Sequence, residues 1–279
     1  MRTLDIINYG SNFLKDSKIP SYVLDSELLL SKVLNKSREE ILINLDKKVN
    51  EKNLLIFKKY LQRRSKKEPI AYILQEKEFW DKKFEVNRHT LIPRPETELL
   101  VELILRSVKK KRLSILDIGT GSGCILISLL DVLKNSYGIG VDISKNALFV
   151  AKKNVLKFKL SNRLKLINKS FEGIYGKKFD LIVSNPPYIE RKYFKNLSED
   201  IKEYEPRMAL DGGNDGLDLI KKVIYKSKNI LKVKGKLAIE IGNQQVKKVS
   251  KILVKNNFRI KNDIKDYKNN IRCLLAEYI

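Results

Sequence analysis

The spacing of apolar residues changes at Pro95, and this change limits the fold more than any other feature of the chain. From residue 1 to about 76, apolar residues recur at helical spacing, and Ser21 and Asp25 are suitable residues to begin a helix. After Pro95, short strand-like runs alternate with helical segments of ten or more residues. We therefore predict a small N-terminal bundle of four or five helices followed by an α/β domain.

Seven segments after Pro95 have the pattern of strands: 113–118, 137–141, 164–168, 179–184, 236–240, 258–264 and 272–278. Helices are predicted at about 96–109, 123–134, 144–159, 214–232 and 244–256. This order predicts a doubly wound seven-stranded sheet of the Rossmann-like type, in which ligands bind beyond the carboxyl ends of the strands. The predicted domains are a helical domain at 1–76, a hairpin linker at 77–94 and the α/β domain at 95–279.

Composition excludes several classes of protein. The 279 residues are 43% hydrophobic, which favours a globular chain over a disordered one. No run approaches the roughly 18 to 20 apolar residues that a membrane span requires, and Asp5 interrupts the place of a signal peptide, so we expect a cytoplasmic protein without a membrane contact. Cys124 and Cys273 lack the spacing of a metal site, and no metal is predicted. His89, the only histidine, is interpreted as a loop residue, with a role as a base left open.

The formal net charge of +24 would normally indicate a polyanionic partner. Here the lysines are spread through every segment, whereas proteins that recognise nucleic acids tend to use arginine for its planar, bidentate side chain. We interpret the charge mainly as a compositional bias that allows weak nonspecific contact with nucleic acid.

A glycine-rich loop follows the first predicted strand of the α/β domain, in the run Leu116-Asp117-Ile118-Gly119-Thr120-Gly121-Ser122-Gly123. Its G-x-G-x-G pattern differs from the dinucleotide fingerprint and has no P-loop lysine, which favours a nucleotide cofactor without a pyrophosphate. Asp142 ends the next strand, where a carboxylate can accept both hydroxyls of a ribose. S-adenosyl-L-methionine satisfies both conditions, and the alternative is a tight turn with a solvated aspartate. The predicted cofactor-binding residues are Gly119, Thr120, Gly121, Ser122, Gly123 and Asp142.

The segment Ser184-Asn185-Pro186-Pro187-Tyr188 follows the fourth of these strands. Two prolines make the backbone rigid and remove two N–H donors, so that carbonyl groups there are free to accept from a ligand. The Asn185 side-chain oxygen and the Pro186 carbonyl can together receive both hydrogens of a planar NH2 group, while Tyr188 supplies an aromatic wall. We predict Asn185, Pro186 and Tyr188 as catalytic residues, and the alternative is a plain turn.

Together these motifs resemble the HemK family, the release factor glutamine methyltransferases, among the class I S-adenosylmethionine-dependent methyltransferases. The resemblance covers essentially the whole chain and includes Leu91-Ile92-Pro93-Arg94-Pro95-Glu96-Thr97-Glu98, the glycine loop, Asn-Pro-Pro-Tyr, Glu205-Pro206-Arg207, Gly212-Gly213-Asn214-Asp215-Gly216-Leu217, Glu240-Ile241-Gly242 and Asp266 with Arg272. It implies that residues 119–123, Asp142 and Asn185 contact the cofactor. It also implies that Asn185, Pro186, Pro187 and Tyr188 bind the glutamine amide of the substrate.

One segment departs from the family pattern. Where the family often has Ser-Asp followed by a bulky residue, this chain has Asn168-Lys169-Ser170-Phe171. The usual acidic contact to adenine is missing from this pattern, and we expect the backbone at Ser170 or the Phe171 ring to line the adenine pocket instead.

The resemblance implies transfer of a methyl group from S-adenosylmethionine to a glutamine of a peptide chain release factor, with 95–279 as the methyltransferase domain. We predict that the helical domain at 1–76 recognises the substrate, because it has no cofactor motif yet accompanies a complete catalytic domain. Three alternatives stay open at this point. The first is an adenine-N6 methyltransferase acting on nucleic acid, whose target NH2 group has the same shape; we see no insertion for base flipping. The second is a ribosomal-protein glutamine methyltransferase, and the third is a non-catalytic RNA-binding protein on a degenerate scaffold.

Overall fold

A computed structural model describes residues 1–108, 112–175 and 179–279. The chain forms two compact units. The first comprises Met1–Gln75 together with Ser198–Tyr204, and the second comprises Glu76–Leu197 together with Glu205–Ile279. Each unit is therefore built from two separate stretches of sequence, and we call them the helical unit and the α/β unit.

The helical unit has a core of apolar side chains that includes Ile6, Leu14, Leu29 and Phe57, all fully buried. The predicted helical periodicity is confirmed in five helices, and the later segment adds a sixth. Their bounds are Thr3–Asp16 (α1), Tyr22–Leu34 (α2), Arg38–Ile43 (α3), Glu51–Ser65 (α4), Ile70–Leu74 (α5) and, from the second stretch, Glu199–Tyr204 (α9).

Side-chain hydrogen bonds determine where two of these helices begin, and another side-chain hydrogen bond joins two helices to each other. The Ser37 hydroxyl accepts the Glu40 backbone N–H, and the Asn50 side chain accepts that of Asn53, so both helices are capped. The buried Arg64 guanidinium donates to Asp25 across 2.7 Å, which joins α4 to α2.

The α/β unit begins with an antiparallel hairpin of strands Glu76–Phe79 (β1) and Lys82–Glu85 (β2). Trp80 and Asp81 form its two-residue turn, both with positive φ, as a type I′ turn requires. Within the predicted hairpin, Lys82 and Lys83 already pair with Phe79 and Glu78, so the turn is confined to Trp80 and Asp81. The buried Phe79 and Phe84 rings pack into the main core, so the hairpin is part of the α/β unit.

The predicted seven-stranded sheet is confirmed. Its strands are Ser114–Ile118 (β3), Tyr137–Asp142 (β4), Leu164–Asn168 (β5), Phe179–Ser184 (β6), Leu231–Glu240 (β7), Phe258–Lys265 (β8) and Ile271–Tyr278 (β9). Their order is β5-β4-β3-β6-β7-β9-β8, with β9 antiparallel to both of its neighbours and the remaining pairs parallel. The chain moves outward from β3 to β5 and then returns to the other side of β3, so the topological switch point lies beside β3.

Helices pack on both faces of this sheet, and each face carries a separate apolar cluster. The helices of the α/β unit are Pro95–Ser107 (α6), Cys124–Val132 (α7), Lys145–Lys157 (α8), Asp218–Ile230 (α10) and Val246–Lys255 (α11). Short 3-10 turns occur at Phe171–Gly173, Arg191–Asn196 and Arg207–Ala209. Cys124 and Cys273 are both buried free thiols.

The structure differs from the predicted elements in a few places. Strand β7 begins at Leu231 rather than at 236, because buried Leu231 pairs with Phe179 before the register shifts. Helix α10 accordingly ends at Ile230, two residues before its predicted end. Helix α9 was not predicted, since its short polar sequence has no apolar periodicity. The last residue of the helix predicted at 96–109 lies outside the described residues. Within the described ranges, no helix combines the length and the apolar content needed to cross a membrane.

Candidate active site

The glycine loop after β3 turns sharply because three of its residues have positive φ: Gly119 at 73°, Gly121 at 55° and Gly123 at 82°. The Gly119 and Thr120 amides donate to the Val141 carbonyl at 2.9 and 3.1 Å, which fastens the loop to β4. A side chain placed on Gly119 would meet no atom within 4 Å. The loop therefore exposes its backbone to open space where a ligand can approach.

Asp142, at the end of β4, supports this loop from the side. One carboxylate oxygen accepts the Gly121 amide at 3.0 Å, and the other accepts the Ser144 amide at 2.9 Å. Burial raises the pKa of Asp142, and these two N–H groups partly oppose that shift. Each oxygen retains a further lone pair, so the carboxylate can still accept two ligand hydroxyls.

Asp117 lies fully buried beneath the loop and accepts the Thr120 hydroxyl at 2.6 Å. Its second oxygen has no hydrogen-bond partner among the described residues. Burial raises the pKa of Asp117 to about 7. The hydrogen bond from Thr120 opposes this rise, and the nearby charge of Asp142 adds to it. Thr120 is thus held inward as a structural support of the glycine loop.

Asn185 follows β6 and lies opposite the glycine loop, because β6 pairs directly with β3. Its side-chain Nδ2 donates to the Thr97 hydroxyl at 3.1 Å. Thr97 belongs to the first turn of α6, which begins at Pro95. This contact leaves the Asn185 Oδ1 as the atom that a ligand N–H can use.

Tyr188 has a different environment from Asn185. Its hydroxyl donates to the Glu240 Oε1 at 3.1 Å, whereas the buried second oxygen of Glu240 has no hydrogen-bond partner among the described residues. Burial and the neighbouring Glu240 both raise the pKa of Tyr188. Burial also raises the pKa of Glu240, to about 7, and the nearby hydroxyl groups of Thr97 and Tyr188 act against that rise.

A second glycine segment packs tightly against the backbone of this loop. A side chain on Gly212 would lie 2.7 Å from the Tyr188 Cα, and one on Gly216, whose φ is 71°, would lie 2.5 Å from the Tyr188 carbonyl oxygen. The buried Gln245 side chain donates to the carbonyls of Tyr188 and Gly216 at 3.2 and 3.1 Å. Close backbone packing therefore accounts for the Gly212–Gly216 segment singled out in the sequence.

Glu205 and Arg94 connect two further segments that the sequence analysis identified. The buried Glu205 carboxylate forms an ion pair with the Arg94 guanidinium and accepts the Ile92 amide at 3.1 Å. This pair holds the start of α6, and with it Thr97, next to the Asn185 loop.

A cavity of about 340 Å³ lies between the two loops, within the size range of small-molecule sites. Its walls include most of the predicted residues, namely Gly119, Gly121, Asp142, Ser170, Phe171, Asn185, Pro186 and Pro187. They also include residues for which no contact was predicted, among them His89, Ile143, Met208 and Leu219. The two predicted half-sites thus lie on one cavity at the carboxyl ends of the strands.

Four predicted site residues do not line this cavity in the described part of the chain: Thr120, Ser122, Gly123 and Tyr188. Ser122 is buried, with its carbonyl accepting from Asn154 at 2.9 Å, and Gly123 precedes the first residue of α7. Their predicted roles in binding stay predictions, whereas their structural roles in the loops are visible. No group of three or more His, Cys, Asp or Glu that could hold a metal occurs in the described ranges.

Sequence reasoning assigned no role to Thr97, Glu240 or Gln245, although each supports the Asn185 loop. A signal was present for Glu240, since a carboxylate directly after the apolar run at 237–239 is unusual in a protein interior. Thr97 lies in the segment 91–98 that carries the family resemblance, but no local pattern links it to a partner 88 residues away.

The chain is similar to known proteins along nearly its whole length. The family description "PrmC N-terminal domain" matches residues 5–74, and "Methyltransferase domain" matches residues 109–274. A release factor glutamine methyltransferase of Clostridium botulinum is 40% identical, over 98% of both chains.

One further relative is much longer than this chain, and one solved structure shares the fold at low sequence identity. A bifunctional methyltransferase of Rickettsia felis is 37% identical over 97% of this chain, which spans only 57% of that longer protein. The crystal structure of a methyltransferase from Pyrococcus furiosus, 18% identical, has a TM-score of 0.53 and covers 70% of this chain and 89% of its own. This last similarity concerns the fold alone.

Proposed function

Because the chain belongs to the HemK family of release factor glutamine methyltransferases, we propose that it methylates the side-chain amide nitrogen of a glutamine in a peptide chain release factor. The methyl donor is S-adenosyl-L-methionine, and the reaction takes place in the cytoplasm, where release factors act. The observation that carries the proposal is the single cavity that joins the Gly119 and Asp142 side to Asn185 and Pro186.

The residues of the glycine-loop side fit this cofactor. The open space at Gly119 allows a ligand to contact the backbone, and Asp142 retains acceptor positions for ribose hydroxyls. The loop itself carries no lysine or arginine, which fits a nucleoside without a pyrophosphate. Ser170 and Phe171 line the same cavity, so we propose that they border the adenine, as predicted for this departure from the family pattern. When bound, the cofactor supplies a methyl group on a positively charged sulfur.

The residues of the Asn185 side fit a planar amide. Because Nδ2 of Asn185 is engaged by Thr97, its Oδ1 is free to accept one substrate N–H, and the Pro186 carbonyl can accept the other. Two such bonds turn the amide plane so that its nitrogen faces the methyl donor. Pro187 lines the same wall, and we propose that it contacts the glutamine side chain.

Orientation and electrostatics account for this reaction without a strong base. A neutral amide is too weak an acid to lose a proton before attack, so we propose that the proton leaves after the nitrogen has accepted the methyl group. His89 lines the cavity, and its backbone amide donates to the Asn87 side chain in a turn. No step of the proposal requires its imidazole.

The main alternative remains methylation of an adenine NH2 group, since that group has the same shape and the net charge of +24 favours nucleic acid. We propose weak nonspecific nucleic-acid contact only, because the lysines are spread over the whole sequence.

The deciding experiment incubates the protein with S-adenosylmethionine labelled in its methyl group and with a purified release factor, in the presence of nucleic acid. Fragmentation mass spectrometry should place the label on a glutamine side chain of the release factor. Label on adenine with the release factor unmodified would overturn the proposal, as would label on a ribosomal protein offered in parallel. The Asn185→Ala variant serves as the inactive control.

A further inference from the structure

Helix α10 carries a buried lysine next to a turn that borders the candidate cofactor cavity. Lys226 is only 8% exposed, whereas Lys221 and Lys222 of the same helix are exposed. Its ammonium donates to the Glu172 carbonyl at 2.7 Å and lies 3.9 Å from the centre of the Tyr175 ring. The Glu172 carboxylate pairs with Lys222, and no ion pair of Lys226 occurs in the described part of the chain. A buried lysine held only by a carbonyl and a ring is unusual, and both partners belong to the segment that follows β5.

This segment contains the 3-10 turn Phe171–Gly173, which lies beside Asp142. Strand β5 pairs with β4, and the Lys169 amide that follows β5 donates to the Asp142 carbonyl at 3.1 Å. Ser170 and Phe171 then line the cavity. Because Asp142 is proposed to accept the ribose hydroxyls, the turn is suited to border the base attached to that ribose.

The turn has few hydrogen bonds of its own. The Gly173 amide donates to the Ser170 carbonyl at 3.0 Å, and the Ile174 amide donates to the Phe171 carbonyl at 3.1 Å. Hydrogen bonds in 3-10 turns have poor geometry, so these two alone hold the backbone weakly. Buried Phe171 and Ile174 pack into the apolar cluster on one face of the sheet. The polar backbone between them, at Glu172, therefore depends on contacts from α10.

Two lysines of α10 contact Glu172, and they differ in environment. Lys222 pairs with the Glu172 carboxylate across 3.6 Å, but both side chains are more than half exposed. Water and salt screen such a surface pair, so it contributes little. Lys226 is shielded from water, where a charge-assisted hydrogen bond to a carbonyl is stronger and a cation over an aromatic ring adds to it.

We propose that Lys226, together with Tyr175, is a positioning residue that holds the Phe171–Gly173 turn against α10 and so places Phe171 as a wall for the adenine of the cofactor. This inference rests on the proposed function, since it specifies how the cofactor end of the cavity keeps its shape. In the described part of the chain, neither Lys226 nor Tyr175 lines the cavity, and both act through the turn.

Lys226→Met tests the ammonium, because methionine keeps an unbranched apolar side chain at this position. We expect the Kd of S-adenosylhomocysteine, the demethylated form of the cofactor, to rise by about five- to tenfold in calorimetric titration. Lys228→Met is the matched control, since Lys228 belongs to the same helix and its ammonium lies 4.5 Å from the Tyr225 ring. The Kd of this control should stay within about twofold of the wild-type value. Equal Kd values in wild type and Lys226→Met would overturn the proposal.

Two substitutions at Tyr175 test the ring. Tyr175→Leu should raise the Kd by about threefold, whereas Tyr175→Phe keeps the face of the ring and should bind like the wild type. In the double variant Lys226→Met/Tyr175→Leu, the second change should add little to the first, because both remove the same contact. If the two separate effects multiplied, the residues would act independently and their joint role would be disproved.

A second ligand separates the placement of the adenine wall from a general loosening of the cavity. 5′-Methylthioadenosine shares adenine and ribose with S-adenosylhomocysteine but lacks the amino-acid group. Lys226→Met should therefore raise both Kd values by the same factor. A larger loss for S-adenosylhomocysteine would mean that the whole cavity had loosened, which contradicts the proposal. A lower free energy of unfolding with unchanged Kd values would show a purely structural role and would contradict it as well.

These binding measurements also separate the inference from the proposed function. If the wild type bound S-adenosylhomocysteine but transferred no methyl group to a release factor, the proposed function would fail, and the Lys226 variants would still decide the inference. In an active enzyme, turnover is proposed to depend on the Asn185 loop, so Lys226→Met should raise the KM for the cofactor and leave kcat within about twofold. A fall in kcat with an unchanged cofactor KM would overturn the inference.

Discussion

The two loops that border the cavity are held in opposite ways. Backbone hydrogen bonds to Val141 and the nearby carboxylates of Asp117 and Asp142 hold the glycine loop. The Asn185 loop is held by side chains of distant residues, namely Thr97, Glu240 and Gln245, and by the close packing of Gly212 and Gly216. A ligand that is held through the protein backbone and through its own ribose hydroxyls can bind at the glycine loop. Orienting a small planar amide requires the fixed side chain of the Asn185 loop. Substitutions should therefore affect binding in one loop and turnover in the other.

Asn185→Ala should give the largest effect, since it removes the acceptor that orients the amide. We expect turnover to fall by about 100-fold or more, as after the loss of a preorganised polar contact in a transition state, while cofactor affinity falls less. Asn185→Asp keeps an acceptor and should retain some activity. Steady-state kinetics would measure turnover, and calorimetry would measure cofactor affinity. An equal loss of cofactor affinity would mean that Asn185 acts in cofactor binding rather than in orienting the substrate amide.

Asp142→Ala should have the converse effect, because Asp142 is predicted to accept ribose hydroxyls. Loss of charge-assisted hydrogen bonds should weaken cofactor binding by about 1.5 to 3 kcal/mol. The exposed Asp263→Ala serves as a matched control of equal charge change. Calorimetric titration giving the wild-type affinity for Asp142→Ala would remove this residue from the site.

Gly216→Ala and Gly119→Ala form a matched pair, since both glycines have positive φ and the strain of about 1 kcal/mol is common to both. The new methyl group at 216 would press on the Tyr188 carbonyl, while that at 119 would extend into open space. We expect Gly216→Ala to lower kcat several-fold and Gly119→Ala to weaken cofactor binding instead. If both variants had the same kinetic signature, the contrast between the loops would not hold.

Tyr204→Phe should have the smallest effect, because this residue belongs to the helical unit. Its hydroxyl donates to the Lys66 carbonyl at 2.7 Å at an exposed position. We expect the free energy of unfolding to fall by about 0.5 to 1.5 kcal/mol in urea titrations. Both kcat and the cofactor Kd should be unchanged, and a change in either would mean that the two loops are not the only determinants of function.

The same contrast explains what the sequence could predict. The glycine loop and Asp142 follow from local rules, because a positive-φ turn between strand and helix needs glycines at fixed spacing. Asn185 and its prolines are likewise contiguous. The supports of that loop come from residues 88, 52 and 57 positions away, so no local pattern links them. The seven strands were predicted to within a few residues, with β7 extended by a pairing that only the folded sheet provides.

The discontinuous sequence of the helical unit has a consequence for folding order. The hydrogen bond between Tyr204 and Lys66 joins residues 138 positions apart, although both belong to this unit. At a synthesis rate of about 5 to 20 residues per second, roughly 6 to 26 seconds separate the appearance of its first five helices from that of its last. The unit that begins the chain is therefore completed only after strand β6 has been made, and such a contact between distant positions slows folding through its loop-closure entropy.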